Sequence, residues 1–229
     1  MDSRWRERRV VVTGDGSRSI FLPACQESYH SCHGAWRESQ LVFLANGYDA
    51  ALAAFGNSLR ILEVGFGTGL NALLTWERAR QTAVRVFYTA LEPFPLPLEL
   101  ALELDYGQAL ATSGACDAFL ALHRCRWNVP VCFGERFSLL KRSVKVEDLE
   151  AFDEAYELIY FDAFAPAVQP ELWTRAVFEK LYRLLRGGGV LVTYCAKGAV
   201  KRHLKAVGFL VESLAGPPGK REVTRARRP

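Results

Sequence analysis

The sequence predicts an α/β fold: a mostly parallel sheet with helices on both faces, preceded by an N-terminal extension. Three observations predict it. From residue 58 onward short apolar runs alternate with longer stretches of helical period, the rhythm of strand, crossover and strand. The first of those runs ends in a glycine cluster that opens a helical stretch. The central runs are apolar nearly throughout rather than alternating, as burial on both faces requires. The expected organisation is an extension over 1–57 packed on a core over 58–229, together one domain.

Each element follows from local chemistry. Val10 to Thr13 and Ser19 to Leu22 flank Gly14, Asp15, Gly16 and Ser17, a β-hairpin with a Gly/Asp turn. Over 34–55, Trp36, Leu41, Phe43, Leu44, Ala51, Leu52 and Phe55 recur at helical spacing, predicting one or two helices. In the core, 59–64 is a strand, 70–80 a helix and 84–91 a second strand. Helices are expected over 96–104 and 108–122, and strands over 129–133 and 157–161. A helix over 170–185 has Pro170 at its start and Gly187, Gly188 and Gly189 as its stop. A strand over 190–194, a helix over 198–207 and an antiparallel pair, 209–214 with 222–225, complete the chain.

Charge and cysteines bound the partners. The net charge of +4 is too small to announce a polyanion, but it is unevenly spread. From Lys197 onward nine basic residues face two acidic ones, while the other 196 residues lean acidic. The opening residues are charged, unlike a signal peptide. No apolar run approaches the roughly 20 residues of a membrane helix. Six cysteines lack any Cys-x-x-Cys pair, and Cys25, His30, Cys32 and His33 have no second knuckle. The expectation is a cytoplasmic protein with free thiols, no metal and no membrane contact.

The richest segment is Glu63-Val64-Gly65-Phe66-Gly67-Thr68-Gly69-Leu70-Asn71. It follows a strand and opens a helix, the context that gives a glycine motif meaning. Its spacing is G-x-G-x-G rather than the dinucleotide G-x-G-x-x-G. The preceding acid would repel a pyrophosphate and attract a cation. Glu92 ends the second strand, where a carboxylate accepts hydrogen bonds from ribose hydroxyls. Together these form the pattern of class I, Rossmann-like S-adenosylmethionine-dependent methyltransferases, with S-adenosyl-L-methionine as cofactor. The alternatives are a nicotinamide cofactor and a structural turn without a ligand. Glu63 either meets the cofactor's amino end or holds the glycine loop.

At the end of the fourth strand stand Tyr160-Phe161-Asp162-Ala163-Phe164-Ala165-Pro166, followed by Gln169-Pro170-Glu171-Leu172-Trp173-Thr174. With Glu38 to Phe43, Glu63 to Asn71, Leu91 to Leu96, the three glycines at 187–189 and Gly216 to Glu222, the sequence resembles the methyltransferase domain of the bacterial MnmC tRNA wobble-uridine modification enzymes and its standalone relatives. The resemblance spans about residues 10–226. It implies methylation of the exocyclic amine of 5-aminomethyl-2-thiouridine in the tRNA anticodon region, giving 5-methylaminomethyl-2-thiouridine. It also implies cofactor contacts from Glu38, Glu63, Gly65, Phe66, Gly67, Thr68, Gly69, Asn71, Glu92, Pro93, Glu135 and Asp162. Glu135 departs from the Gly-Asp that the family often has. The bifunctional relatives add an FAD-dependent oxidase. A chain of this length has no room for one, so the amine is expected from a separate enzyme.

Asp162 is the candidate catalytic residue, accepting a hydrogen bond from the amine and orienting it; its bland alternative is a strand-end cap. Phe164, Pro166 and Trp173 are candidates for the wall of a flipped-out base, with plain core as the alternative for Trp173. Tyr29 and His30 line the same mouth or lie in solvent. His123 and His203 are expected at the surface, and Cys195 is not expected to be a nucleophile. Lys197, Lys220 and Arg221, within the basic end of the chain, fit a phosphate-contacting rim. A small-molecule amine N-methyltransferase, an aminopropyltransferase or a non-catalytic binding module on the same fold are the competing functions.

Overall fold

The structure, a computed structural model, describes residues 7–150 and 152–229. The hairpin forms as expected: β1 (Arg9–Val12) pairs antiparallel with β2 (Arg18–Leu22), and a short β3 (Glu27–Ser28) joins them. In its turn the Asp15 carboxylate accepts the N–H groups of Ser17 at 3.1 Å and Arg37 at 3.0 Å, tying the hairpin to the following helix. The 34–55 stretch is a single helical column. It comprises α1 (Ala35–Ser39), a π-helical segment (Gln40–Tyr48) and α2 (Asp49–Phe55).

The core alternates β4 (Ser58–Val64), α3 (Leu70–Thr82), β5 (Arg85–Leu91), α4 (Leu98–Glu103), α5 (Tyr106–Ala109) and α6 (Ala115–Arg124). Then come β6 (Val131–Phe133), β7 (Phe137–Arg142), β8 (Tyr156–Phe161), α7 (Arg175–Leu184), β9 (Leu185–Thr193), α8 (Gly198–Val207), β10 (Leu210–Ala215) and β11 (Glu222–Arg227). The eight strands order as β10-β11-β9-β8-β4-β5-β7-β6, with β9, β8, β4, β5 and β7 mutually parallel. Alternate residues on the central strands enter opposite cores. Ile61, Leu158, Tyr160 and Val192 face the column, α3 and α6. Leu62, Ile159, Phe161 and Leu191 face α7 and α8. This two-sided burial explains why the sequence shows no alternation there.

Three expectations are corrected. The third parallel strand is β7, not 129–133; β6 is a short antiparallel edge strand, joined to β7 by a turn at Gly134. The expected 108–122 helix is broken into α5 and α6, because Ala111 (φ 52°) and Gly114 (φ 80°) reverse the chain between them. The 170–185 helix starts as a 3₁₀ turn (Pro170–Trp173), restarts at α7 under the Thr174 cap, and ends at Leu184. Gly187, Gly188 and Gly189 lie inside β9, beside a register shift against β8, rather than stopping the helix.

Buried Glu157 clamps the sheet. Its carboxylate accepts the Arg60 backbone N–H at 2.6 Å, the Arg60 guanidinium at 2.6 Å and Arg186 at 3.0 Å. Burial pushes this carboxyl up, but the bonds from Arg60 and Arg186 hold it below the usual range. The clamp therefore stabilises the fold above the unfolded pKa, and its contribution is lost as pH falls through the lower folded value. Glu157→Gln should cost about 1–2 kcal/mol at pH 7, a modest figure because both arginines stay 45% exposed. Thermal melts should show the deficit shrinking as the buffer is taken below pH 4; a constant deficit would refute the charge-based origin.

Candidate active site

A cavity of about 860 Å³ opens at the carboxyl ends of β4, β5 and β8, where open α/β sheets place ligands. Its floor is the glycine loop, and segment 26–33 of the extension and Gly219 and Lys220 of the β10–β11 loop supply further wall. The loop is fixed by its backbone: the N–H groups of Gly65 and Phe66 both donate to the Leu91 carbonyl, at 3.0 and 3.1 Å. Gly65 has φ +95°, and a Cβ there would sit 2.5 Å from the Asp162 carbonyl oxygen. Gly67 has φ +50° and passes under the Tyr29 ring. Only glycine meets both demands at once.

Glu92 holds the loop from the side. One of its oxygens accepts Gly67 N–H at 3.0 Å and the other Phe94 N–H at 2.9 Å. Each oxygen keeps a second lone pair for a ligand. His30 is a buried bridge: Nδ1 lies 2.9 Å from Ser19 Oγ and Nε2 3.3 Å from Thr68 Oγ1, linking hairpin to loop. Burial lowers its pKa to about 4, so the ring is neutral at neutral pH. His123 is not a free surface residue as expected. Its Nε2 is 3.0 Å from the Thr68 carbonyl and its ring packs edge-on to Phe66 and Phe119. His203 Nδ1 likewise lies 3.0 Å from the Trp173 carbonyl.

Behind the loop lies an acid relay. The Asn71 amide donates to Glu63 Oε1 at 3.0 Å and to Asp162 Oδ2 at 2.8 Å. Glu63 is fully buried, does not line the cavity, and accepts from Asn71, which does. Burial and the neighbouring charge of Asp162 push the Glu63 pKa well above the usual carboxylate range. Asp162 does line the cavity. Burial and then the charge of Glu38 raise its pKa to about 7, against the opposing effects of Asn71 and Lys220. Asn71 Oδ1, buried at the same place, has no hydrogen-bond partner among the described residues.

Glu38, 4% exposed, comes from α1. One oxygen accepts Ser31 N–H at 2.7 Å; the other pairs with Lys220, whose ammonium lies 4.0 Å over the Tyr194 ring. Lys220 therefore stands inside the cavity rather than on a phosphate rim. Lys197 and Arg221 are exposed and outside the cavity lining.

Phe164 lines the cavity edge-on to Tyr29, ring centres 4.9 Å apart. Trp173 does not form the wall. It is buried against Phe161, and its indole N–H supports the Phe164 carbonyl at 2.8 Å. Thr68, Phe66 and Pro93 line the cavity; Gly69 lies just behind it as the helix-opening residue. Glu135 is corrected outright. It is exposed in the β6–β7 turn, at the end of β7 away from the site, because the third parallel strand begins only at Phe137. The residues that follow the true third strand, Val144 to Glu147, line the cavity instead. Sequence reasoning also missed Gln169, whose Oε1 accepts Phe164 N–H at 3.1 Å, and Tyr194.

Cys195 is buried, with its thiol pushed up by burial, which does not favour a nucleophile. Among the described residues no group of three or more His, Cys, Asp or Glu is placed to hold a metal ion. No helix among them is long and apolar enough to cross a membrane.

The chain matches, over residues 127–229, a family model described as S-adenosyl-L-methionine-dependent methyltransferase. It is 34% identical over 221 residues to the tRNA 5-methylaminomethyl-2-thiouridine biosynthesis bifunctional protein MnmC of Ralstonia nicotianae, covering 91% of this chain and 33% of that protein. The chain thus spans about a third of the length of the curated relatives it matches. Among solved structures, MNMC2 from Aquifex aeolicus superposes with a TM-score of 0.77 at 26% identity, covering 97% of this chain and 72% of that one. A probable spermidine synthase from Corynebacterium glutamicum shares the fold alone, with a TM-score of 0.55 at 17% identity, over 96% of this chain and 76% of that one.

Proposed function

We propose, for a chain that belongs to the S-adenosyl-L-methionine-dependent methyltransferases and matches the methyltransferase part of the MnmC proteins, that it methylates the exocyclic amine of 5-aminomethyl-2-thiouridine at the tRNA wobble position, in the cytoplasm. The observation that carries this reading is Asp162, tuned to about pH 7 and held by Asn71 at the cavity.

The residues present fit the cofactor. The glycine loop offers bare backbone, Glu92 offers acceptor capacity at the end of β5, and Asn71 Oδ1 is a buried acceptor in want of a donor. When bound, S-adenosyl-L-methionine supplies a methyl group on a sulfonium, an electrophile toward an unprotonated amine. Glu92, Gly65, Gly67, Pro93 and Asn71 would hold it. The substrate amine arrives largely as an ammonium, which has no lone pair. Ionised Asp162 accepts one N–H of that ammonium and takes its proton: the N–H bond breaks, an O–H bond forms, and nitrogen keeps the electron pair. Asn71, itself held by Glu63, keeps the Asp162 carboxylate in place. Phe164 and Tyr29 offer apolar faces beside the extruded base. The exposed cations Lys197 and Arg221 remain candidates for phosphate contacts. The aminomethyl group itself must come from a prior reaction on the same uridine, catalysed outside these residues.

The test is direct. The protein is incubated with labelled S-adenosyl-L-methionine and tRNA lacking only this methyl group, and nucleosides are analysed. Labelled 5-methylaminomethyl-2-thiouridine is the expected product. Its absence under conditions where the cofactor binds, or label appearing only in free amines, would overturn the reading.

A further inference from the structure

One corner of the cavity already holds a cation. The Lys220 ammonium pairs with Glu38 and lies over the face of Tyr194, a cation–π contact in a largely desolvated place. Glu38 cannot turn away, because its second oxygen is bound to Ser31 N–H. Asp162 and Asn71 line the same cavity, and the Asn71 carbonyl oxygen is buried without a donor. A primary ammonium has three N–H donors, and among the described residues the Lys220 ammonium gives a hydrogen bond to Glu38 alone. The corner therefore offers more acceptors than its present occupant uses.

The geometry points to a primary-ammonium subsite formed by Glu38, Asn71, Asp162 and the Tyr194 face, in which Lys220 is a resident stand-in that an incoming ligand displaces. This rests on the proposed methyltransferase function and says how that site takes its ligand. Exchanging one ammonium for another conserves charge, so the buried Glu38 is never left uncompensated, a state that costs several kcal/mol. A neutral hydroxyl in place of the ammonium would break that balance. The lysine side chain has four rotatable bonds, so it withdraws without backbone motion while the turn around it, Lys220 N–H to the Pro217 carbonyl at 2.9 Å, stays closed. Two ligands could bring the ammonium: the substrate's aminomethyl group or the cofactor's amino-acid end.

Calorimetric titration of the whole chain with two ligand pairs, each differing only in the ammonium, separates these sources. One pair is an anticodon stem–loop RNA carrying 5-aminomethyluridine or 5-hydroxymethyluridine; the other is S-adenosylhomocysteine or its deaminated form. In one pair the ammonium-bearing member should bind at least about tenfold more tightly. That preference should vanish in Glu38→Gln and grow in Lys220→Met, which removes the competing cation. Tyr194→Leu keeps every charge and should reduce the preference about threefold. The pair that responds names the source. No ammonium preference in either pair with the unmodified chain, or a preference weakened by Lys220→Met, would overturn the inference whatever the variants' folding. If both cofactor forms bind equally and the RNA pair also binds equally, only this inference fails. If neither cofactor form binds, the methyltransferase reading fails as well.

Discussion

Replacing Asp162 with Asn is expected to lower kcat by about 10²–10⁴ while making the protein more stable at pH 8. Both effects come from one carboxyl. Burial and the charge of Glu38 raise its pKa from 3.8 to about 7 in the folded chain. The sign follows from proton counting. Between about pH 4 and 7 the unfolded chain has released this proton and the folded chain has kept it, so stability falls as pH rises through that window. Above it the penalty is constant, and below it absent. The cavity gives the carboxyl some contact with solvent, so about 1–3 kcal/mol is a fair scale for the full penalty. The amide introduced by Asp162→Asn would still accept from Asn71 but never carries charge, so the variant's melting temperature should exceed the wild type's at pH 8 and match it near pH 4. For the wild type, kcat should rise with pH through about 7 as the acceptor ionises. The variant should lack that limb. Undiminished turnover by the variant would remove Asp162 from the mechanism.

The legible parts of the sequence are those where one physical demand dominates. Ile61, Leu62, Leu158, Ile159, Tyr160 and Phe161 must be apolar because they fill the cores on both faces of the sheet, and the glycine loop must be free of side chains where Asp162 crosses it. Strand β7 was illegible because it buries a lysine. Lys141 is 1% exposed yet satisfied, donating to the His123 carbonyl at 2.7 Å and lying 4.7 Å over Trp127. An apolar-looking run at 129–133 competed for the same assignment, and Glu135 was misplaced with it. Glu63 was found by motif, but which way its side chain faces depends on the strand's place in the sheet. That place puts it under Asn71, not in the cavity. Lys220 shows the limit of reading charge from composition. In sequence it belongs to a basic chain end; in space its partner is Glu38, 182 residues earlier. Trp173 and His123 are the same lesson for aromatic residues, since each acts by holding a backbone carbonyl next to the site.

Gly65→Ala is expected to abolish measurable cofactor binding, at least about a 100-fold loss, and to destabilise the chain by about 2–4 kcal/mol. The new Cβ would lie 2.5 Å from the Asp162 carbonyl oxygen and 3.2 Å from its carbon, on a backbone already at φ +95°. Neither partner is free to give way. The Asp162 backbone is pinned to β4 through its N–H to the Val64 carbonyl at 3.0 Å, and Gly65 is pinned to Leu91. Relief must therefore come from prising β4 and β8 apart at their carboxyl ends, which moves Asp162 and the loop together. Gly56→Ala supplies the control. It also has positive φ, at +78°, but nothing lies within 4 Å of its added carbon. It should cost about 1–3 kcal/mol from backbone strain alone and leave cofactor affinity unchanged. Equilibrium dialysis with S-adenosylhomocysteine, paired with thermal melts, reads both quantities. Equal losses of affinity in the two variants would show that strain alone matters. Wild-type affinity in Gly65→Ala would show that the glycine loop does not carry the cofactor against Asp162, and the placement of the active site would fall with it.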